Sequence, residues 1–145
     1  MPATTFDPTL TQIAREIRLS SQSLARHVRD HTPSLAPHRF TVLAWLEQGP
    51  STARELAQRE RVSAPSMSRT INELEELGLL ARQLDPTDAR SKIVTLTPAG
   101  KRALSKGRRE RDEYVAELLQ GCTPEELEVL RAGAELLRLV VEAEA

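Results

Sequence analysis

Ser66, Ser68 and Arg69 place two short hydroxyl donors beside one guanidinium within the segment SAPSMSRT, residues 63 to 70. Groups of this kind hydrogen-bond to phosphate oxygens and to the edges of heterocyclic bases. A second cationic group follows at Arg90 and Lys92, with Asp88 two residues ahead of the guanidinium. That spacing lets a carboxylate steady an arginine through a charge-assisted bond. The other reactive side chains point to less. His27 and His31 are four apart and share a helix face, but no third ligand is evident, so a metal site is not expected. Cys122 lies beside Thr123-Pro124-Glu125-Glu126, an acidic setting that disfavours a thiolate, although its place ahead of a helix N-terminus works the other way. It reads as a structural thiol. There is no G-x-x-x-x-G-K, G-x-G-x-x-G or G-x-S-x-G, and no nucleophile and base pair, so neither an enzyme nor a cofactor is expected.

The elements that must position these groups are mostly helical. Asp7-Pro8 supplies an N-cap and a first-turn proline, and Leu10, Ile13, Ile17, Leu24 and Val28 recur at helical spacing over residues 8 to 30. A shorter helix carries Phe40, Val42, Leu43, Trp45 and Leu46 and ends at Gly49-Pro50. Thr52-Ala53-Arg54-Glu55 is a capping box that starts a third helix, and Ser63 caps a fourth that runs to Leu77, where Gly78 stops it. Leu79 and Leu80 lead into a hairpin whose turn is DPTDA and whose return strand is Ile93 to Leu96. Thr97-Pro98 opens a long polar helix reaching about Leu119. A second capping box at Thr123 starts a last helix with Leu127, Leu130, Ala134, Leu137 and Val141 at alternating spacings of three and four, the seam of a helix that packs on another. The expected fold is therefore mainly α with a small β-hairpin (α+β).

Charge is distributed unevenly along the 145 residues. Residues 1 to 50 carry +1 (5 basic, 4 acidic), residues 51 to 110 carry +4 (12 and 8), and residues 111 to 145 carry -6 (3 and 9), which sum to the net -1. Residues 82 to 109 alone hold 8 basic and 2 acidic side chains, a local +6 that suits a polyanion contact. No apolar run approaches 18 residues and the N-terminus lacks a signal pattern, so no membrane association is expected and a cytoplasmic location is. The single cysteine has no partner for an internal disulfide.

The helices at 52 to 60 and 64 to 77, joined by Arg61-Val62-Ser63, have the proportions of a helix-turn-helix. Advancing 100° per residue, Met67, Ile71, Leu74 and Gly78 share an inward face, while Pro65, Ser66, Arg69, Asn72, Glu73 and Glu76 lie opposite. The first half of the outward face is small or cationic and the second half is acidic. Only the first half is expected to enter a DNA groove, because acidic groups repel phosphate. The hairpin that follows then sits where a wing would sit, with Arg90 able to reach a neighbouring minor groove.

Taken together, ELAQRERVSAPSMSRTINELEELGLLAR (55 to 82), DPTDAR (85 to 90) and VTLTPAGKRAL (94 to 104) resemble the MarR family of winged-helix transcriptional regulators. The resemblance implies one MarR-like chain over residues 1–145. Its winged helix-turn-helix would span 35–105, flanked by N- and C-terminal dimerisation helices at 8–30 and 106–145. It implies that Ser66, Ser68 and Arg69 lie at the DNA face and that Asp88 and Arg90 form the wing-tip pair. One departure concerns the wing: many members read Asp-Arg-Arg where this chain reads Asp88-Ala89-Arg90, which weakens the wing contact or shifts it to Lys92. With Pro65 and Asn72 from the outward face, these make up the expected contact set. The expected partners are double-stranded DNA, a second copy of the chain, and a small-molecule effector of unnamed identity. The expected function is a homodimeric repressor on a pseudo-palindromic operator, relieved by a ligand or oxidant. Two alternatives stand beside it. The seams at 10 to 28 and 127 to 141 pack on each other within one chain, or the winged helix binds another protein and not DNA, which the local +6 argues against.

Overall fold

A computed structural model describes residues 6–32, 34–87 and 92–143. The chain forms two compact units, residues 1–111 and 112–145. In chain order the first unit holds α1 (Pro8–His31), α2 (Pro37–Glu47), β1 (Ser51–Thr52), α3 (Ala53–Glu60), α4 (Ala64–Glu76), β2 (Leu80–Leu84) and β3 (Lys92–Leu96). Next, α5 (Pro98–Leu118) leads into the second unit, and α6 (Pro124–Glu142) follows within it. None of the described helices is long and apolar enough to cross a membrane.

Local signals set the helix starts. The Thr9 N–H donates to Asp7 Oδ1 at 2.6 Å ahead of α1. At α3 the Glu55 N–H donates to Thr52 Oγ1 (3.2 Å) and the Thr52 N–H donates to Glu55 Oε2 (2.7 Å), so two otherwise unpaired donors are satisfied reciprocally. The same exchange occurs between Thr123 and Glu126 at α6. Arg61 ends α3 in the left-handed region (φ 53°), a conformation that costs a residue bearing Cβ about 1–2 kcal/mol. The turn of the helix-turn-helix thus holds some backbone strain.

The core of the first unit collects the periodic apolar positions of five elements. Val42, Leu43 and Leu46 of α2 meet Leu56 of α3, Met67, Ile71 and Leu74 of α4, Val94 of β3 and Leu104 of α5, all buried. The expected α+β class holds, with one addition. The hairpin is the larger part of a three-stranded antiparallel sheet of order β1-β3-β2, in which Ser51 pairs with Val94 and Thr52 with Ile93. Two residues are too few to show a period of two, so β1 carried no alternation signal. Its effect is to tie the cap of α3 to the hairpin.

A compact joint links the end of α4 to the start of α5. Gly78 turns the chain out of α4 at φ 70°. The Thr97 hydroxyl donates to the Gly78 carbonyl (2.7 Å) and accepts from the Gly100 N–H (3.0 Å), while the Thr97 N–H donates to the Leu79 carbonyl (3.2 Å). At Gly100 a Cβ would lie 1.9 Å from the Leu79 oxygen, so only glycine allows α5 to approach this closely. The Leu-Gly-Leu-Leu and Leu-Thr-x-x-Gly segments are therefore two halves of one contact.

Apolar side chains that find no core are concentrated on two helices. On α1, Leu10, Ile13, Ile17 and Leu24 are all exposed and no residue of the helix is buried. On α6, considered by itself, Leu127, Leu130, Leu137 and Val141 are exposed, and again none is buried.

Candidate nucleic-acid interface

The fourth helix presents the expected groups. Met67, Ile71 and Leu74 are buried, while Pro65, Ser66, Ser68, Arg69 and Asn72 are exposed, so one helix separates into a packed stripe and an open stripe as its periodicity dictates. Ser63 caps it by accepting from the Ser66 N–H at 3.3 Å, and Pro65 occupies its first turn. The partly positive N-terminus of α4 and the Arg69 guanidinium are thus on the same half of the helix, a combination that attracts phosphate.

The acidic second half of α4 behaves differently from the sequence expectation. Glu73 is half-buried and held by Arg39 of α2, whose Nε and Nη2 both donate to Glu73 Oε2 (3.2 and 2.9 Å). Glu75 is paired with Arg82 of β2, whose other nitrogen, Nη2, donates to Asn72 Oδ1 at 2.5 Å. Repulsion of phosphate by this half of the helix is correspondingly reduced, since two of its three carboxylates are paired with guanidinium groups. Arg39 and Arg82 were not singled out in the sequence. Arg39 lies 34 residues from its partner and Arg82 meets its own from a different element, and helical periodicity carries no signal for either.

The hairpin begins with an Asx turn in which the Thr87 N–H (2.8 Å) and hydroxyl (2.7 Å) both donate to Asp85 Oδ1. Lys92 is exposed at the first position of β3, opposite Leu84. Asp88 and Arg90, the expected wing-tip pair, lie outside the described residues, as does Ala89. Among the described contact residues, the structure brings Pro65, Ser66, Ser68, Arg69 and Asn72 onto one helix and leaves Lys92 on the hairpin that adjoins it.

Two other features bear on the site. A cleft of about 270 Å³ lies beside α4, lined among others by His38, Val42, Glu60, Met67, Arg69 and Thr70. Trp45 is committed to internal contacts, its Nε1 donating to Glu60 Oε1 at 2.6 Å with the Arg59 guanidinium 5.1 Å from its ring centroid. The remaining reactive side chains form no comparable group. His27 and His31 stack at 5.9 Å, with His31 Nδ1 2.8 Å from the His27 carbonyl oxygen. Cys122 is half-buried beside Glu125 and Glu126. No cluster of three or more metal-binding side chains occurs among the described residues.

Comparison with known proteins bears on the family and the fold. The MarR family profile matches residues 34–91. An uncharacterized helix-turn-helix-type transcriptional regulator of Mycobacterium bovis is 33% identical over 135 residues, covering 90% of this chain and 94% of its own length. A solved structure from Pseudomonas aeruginosa is 27% identical with a TM-score of 0.81, covering 94% of this chain and 98% of that one. A mutant of MepR from Staphylococcus aureus, solved bound to an oligodeoxyribonucleotide, is 20% identical with a TM-score of 0.66, covering 89% and 97%. At that identity the likeness speaks for the fold. With a winged helix built on these residues and a relative this similar along nearly its whole length, the chain belongs to the MarR family of winged-helix transcriptional regulators.

Proposed function

We propose that this protein is a homodimeric, sequence-specific repressor of transcription in the cytoplasm. Each copy places the N-terminal half of α4 in a major groove and its wing against the adjoining minor groove. The observation that carries the reading is the division of α4: Ser66 and Arg69 stand exposed opposite Met67 and Ile71, the side chains that fix it to the core, and Ser68 is exposed on its flank. DNA in the MepR complex supports the same partner here. The exposed apolar stripes of α1 and α6 favour a second copy, because contiguous apolar surface of this kind is covered by association. A two-fold pair would set its recognition helices about 34 Å apart and read a pseudo-palindrome. The contact set is Pro65, Ser66, Ser68, Arg69, Asn72 and Lys92, with Asp88 and Arg90 at the wing tip. Relief by a small molecule is the accompanying expectation, and a ligand seated in the cleft beside α4 would occupy Arg69 directly.

Selection of bound duplexes from a random-sequence pool, followed by anisotropy titrations over a range of salt, tests this reading. The expected result is an enriched palindromic sequence bound at least a thousandfold more tightly than random duplex, on the order usual for specific readers, with affinity falling steeply as salt rises. Equal affinity for selected and random duplexes at every salt concentration refutes it.

A further inference from the structure

Arg82 lies outside the groups expected at the DNA face, yet its guanidinium joins two elements that a winged-helix reader must keep in register. It leaves β2 opposite Val94 of β3 and reaches across to α4. There Nη1 meets the Glu75 carboxylate and Nη2 meets the Asn72 carbonyl oxygen. A planar guanidinium can address both acceptors at once, which the single ammonium of a lysine does less well. The opposite flank of α4 is gripped by Arg39 through Glu73. Rolling α4 about its axis, or swinging the hairpin away from it, breaks one of these pairs.

We propose that Arg82 is a positioning residue that sets the preference for operator over other DNA by locking the wing to the recognition helix. Resting on the DNA-binding reading above, the proposal has two parts. The clamp fixes the angle between α4 and the hairpin, so that groove and wing contacts form together. It also occupies the carbonyl of Asn72, which therefore presents its amide donors outward and selects a base edge offering an acceptor.

The competing role for a wing arginine is that of a phosphate ligand, and the two roles predict opposite behaviour for the partner residue. With the duplex that the parent selects from a random pool as probe, Arg82→Ala and Glu75→Gln each raise the Kd by about five- to tenfold, the loss of one charge-assisted contact. Under the same reading the Kd for random duplex and the slope of log Kd against log salt stay as in the parent. Arg82→Lys recovers part of the loss. If instead Arg82→Ala weakens selected and random duplexes alike and lowers the salt slope by about one, while Glu75→Gln binds as well as the parent or better, Arg82 is a phosphate ligand and the proposal is overturned. Variants indistinguishable from the parent overturn it equally. A hydrogen-exchange comparison without DNA separates failure of the clamp from failure of the DNA-binding reading. Faster exchange of the β2 and β3 amides is expected in both Arg82→Ala and Glu75→Gln. Unchanged exchange removes the clamp even where DNA binding stands. A parent that selects no duplex removes the specificity role even where exchange accelerates.

Discussion

Replacing Gly100 by alanine should destabilise the protein by about 2–4 kcal/mol, although alanine is the better helix former by about 1 kcal/mol. The added Cβ would lie 1.9 Å from the Leu79 carbonyl oxygen and 2.7 Å from Leu96 Cδ1. Ordinary contact begins at 3.4 Å, so α5 and the Leu79 backbone must part by 3.4 - 1.9 = 1.5 Å. That movement pulls on the Thr97 hydroxyl bond to Gly78 and the Thr97 N–H bond to Leu79, together about 2 kcal/mol. It also loosens the packing of Leu104 and Leu96 in the core, at about 1–3 kcal/mol for an overpacked site. Subtracting the gain in helix propensity leaves the stated range. Urea unfolding followed through the fluorescence of Trp45, the only tryptophan, measures it at a fixed protomer concentration. Gly107→Ala is the internal comparison, since there the nearest atoms to a Cβ belong to side chains, Arg111 Nη1 at 2.9 Å and the Phe40 ring at 3.3 Å, which can yield. A Gly100→Ala midpoint equal to the parent's, or a larger loss at Gly107, would show that the α4–α5 joint is not held as described.

Other consequences are open to test. Arg69→Ala should lower affinity for the selected operator by about 10- to 100-fold while leaving sedimentation unchanged, the loss of one base-directed guanidinium; anisotropy checks it. Ile17→Asp places a charge in the exposed apolar stripe of α1 and should shift sedimentation equilibrium from two-copy to one-copy mass, whereas the parent stays at two copies. The bond from the Thr52 backbone N–H, followed by the Ser51 hydroxyl, holds the Glu55 carboxyl below its ordinary value of 4.5. A carboxylate depressed by folding contributes stability above its unfolded pKa and loses it as pH falls through the folded one. The parent should therefore lose stability below about pH 4.5, and Glu55→Gln, which cannot ionise, should flatten that loss in acid unfolding curves.

Sequence reading and structure agree where the signal is local. Caps at Asp7, Thr52, Ser63 and Thr123, the stop at Gly78 and the packed stripe of Met67, Ile71 and Leu74 follow from contacts within a few residues, so spacing alone reveals them. The exposure of Ser66 and Arg69 follows from the same periodicity, because fixing one face of a helix fixes the other. Family resemblance, carried by the joint pattern of residues 55 to 104, agreed with the full comparison.

What tertiary structure decided is how distant segments meet. Glu73 reads from periodicity as an outward repelling charge until Arg39, 34 residues away, pairs with it, and Glu75 is paired in the same way by Arg82, seven residues on across a turn. Ser51 and Thr52 carried only a cap until they paired with Val94 and Ile93. Gly100 stands in the Leu-Thr-x-x-Gly segment with no sequence signal for its neighbour, and the fold puts the Leu79 oxygen 1.9 Å from where its Cβ would be. In each case the deciding force is electrostatic or steric and acts over a few ångströms in space. Sequence periodicity records burial along one element, and contacts of this kind between elements leave no periodic trace.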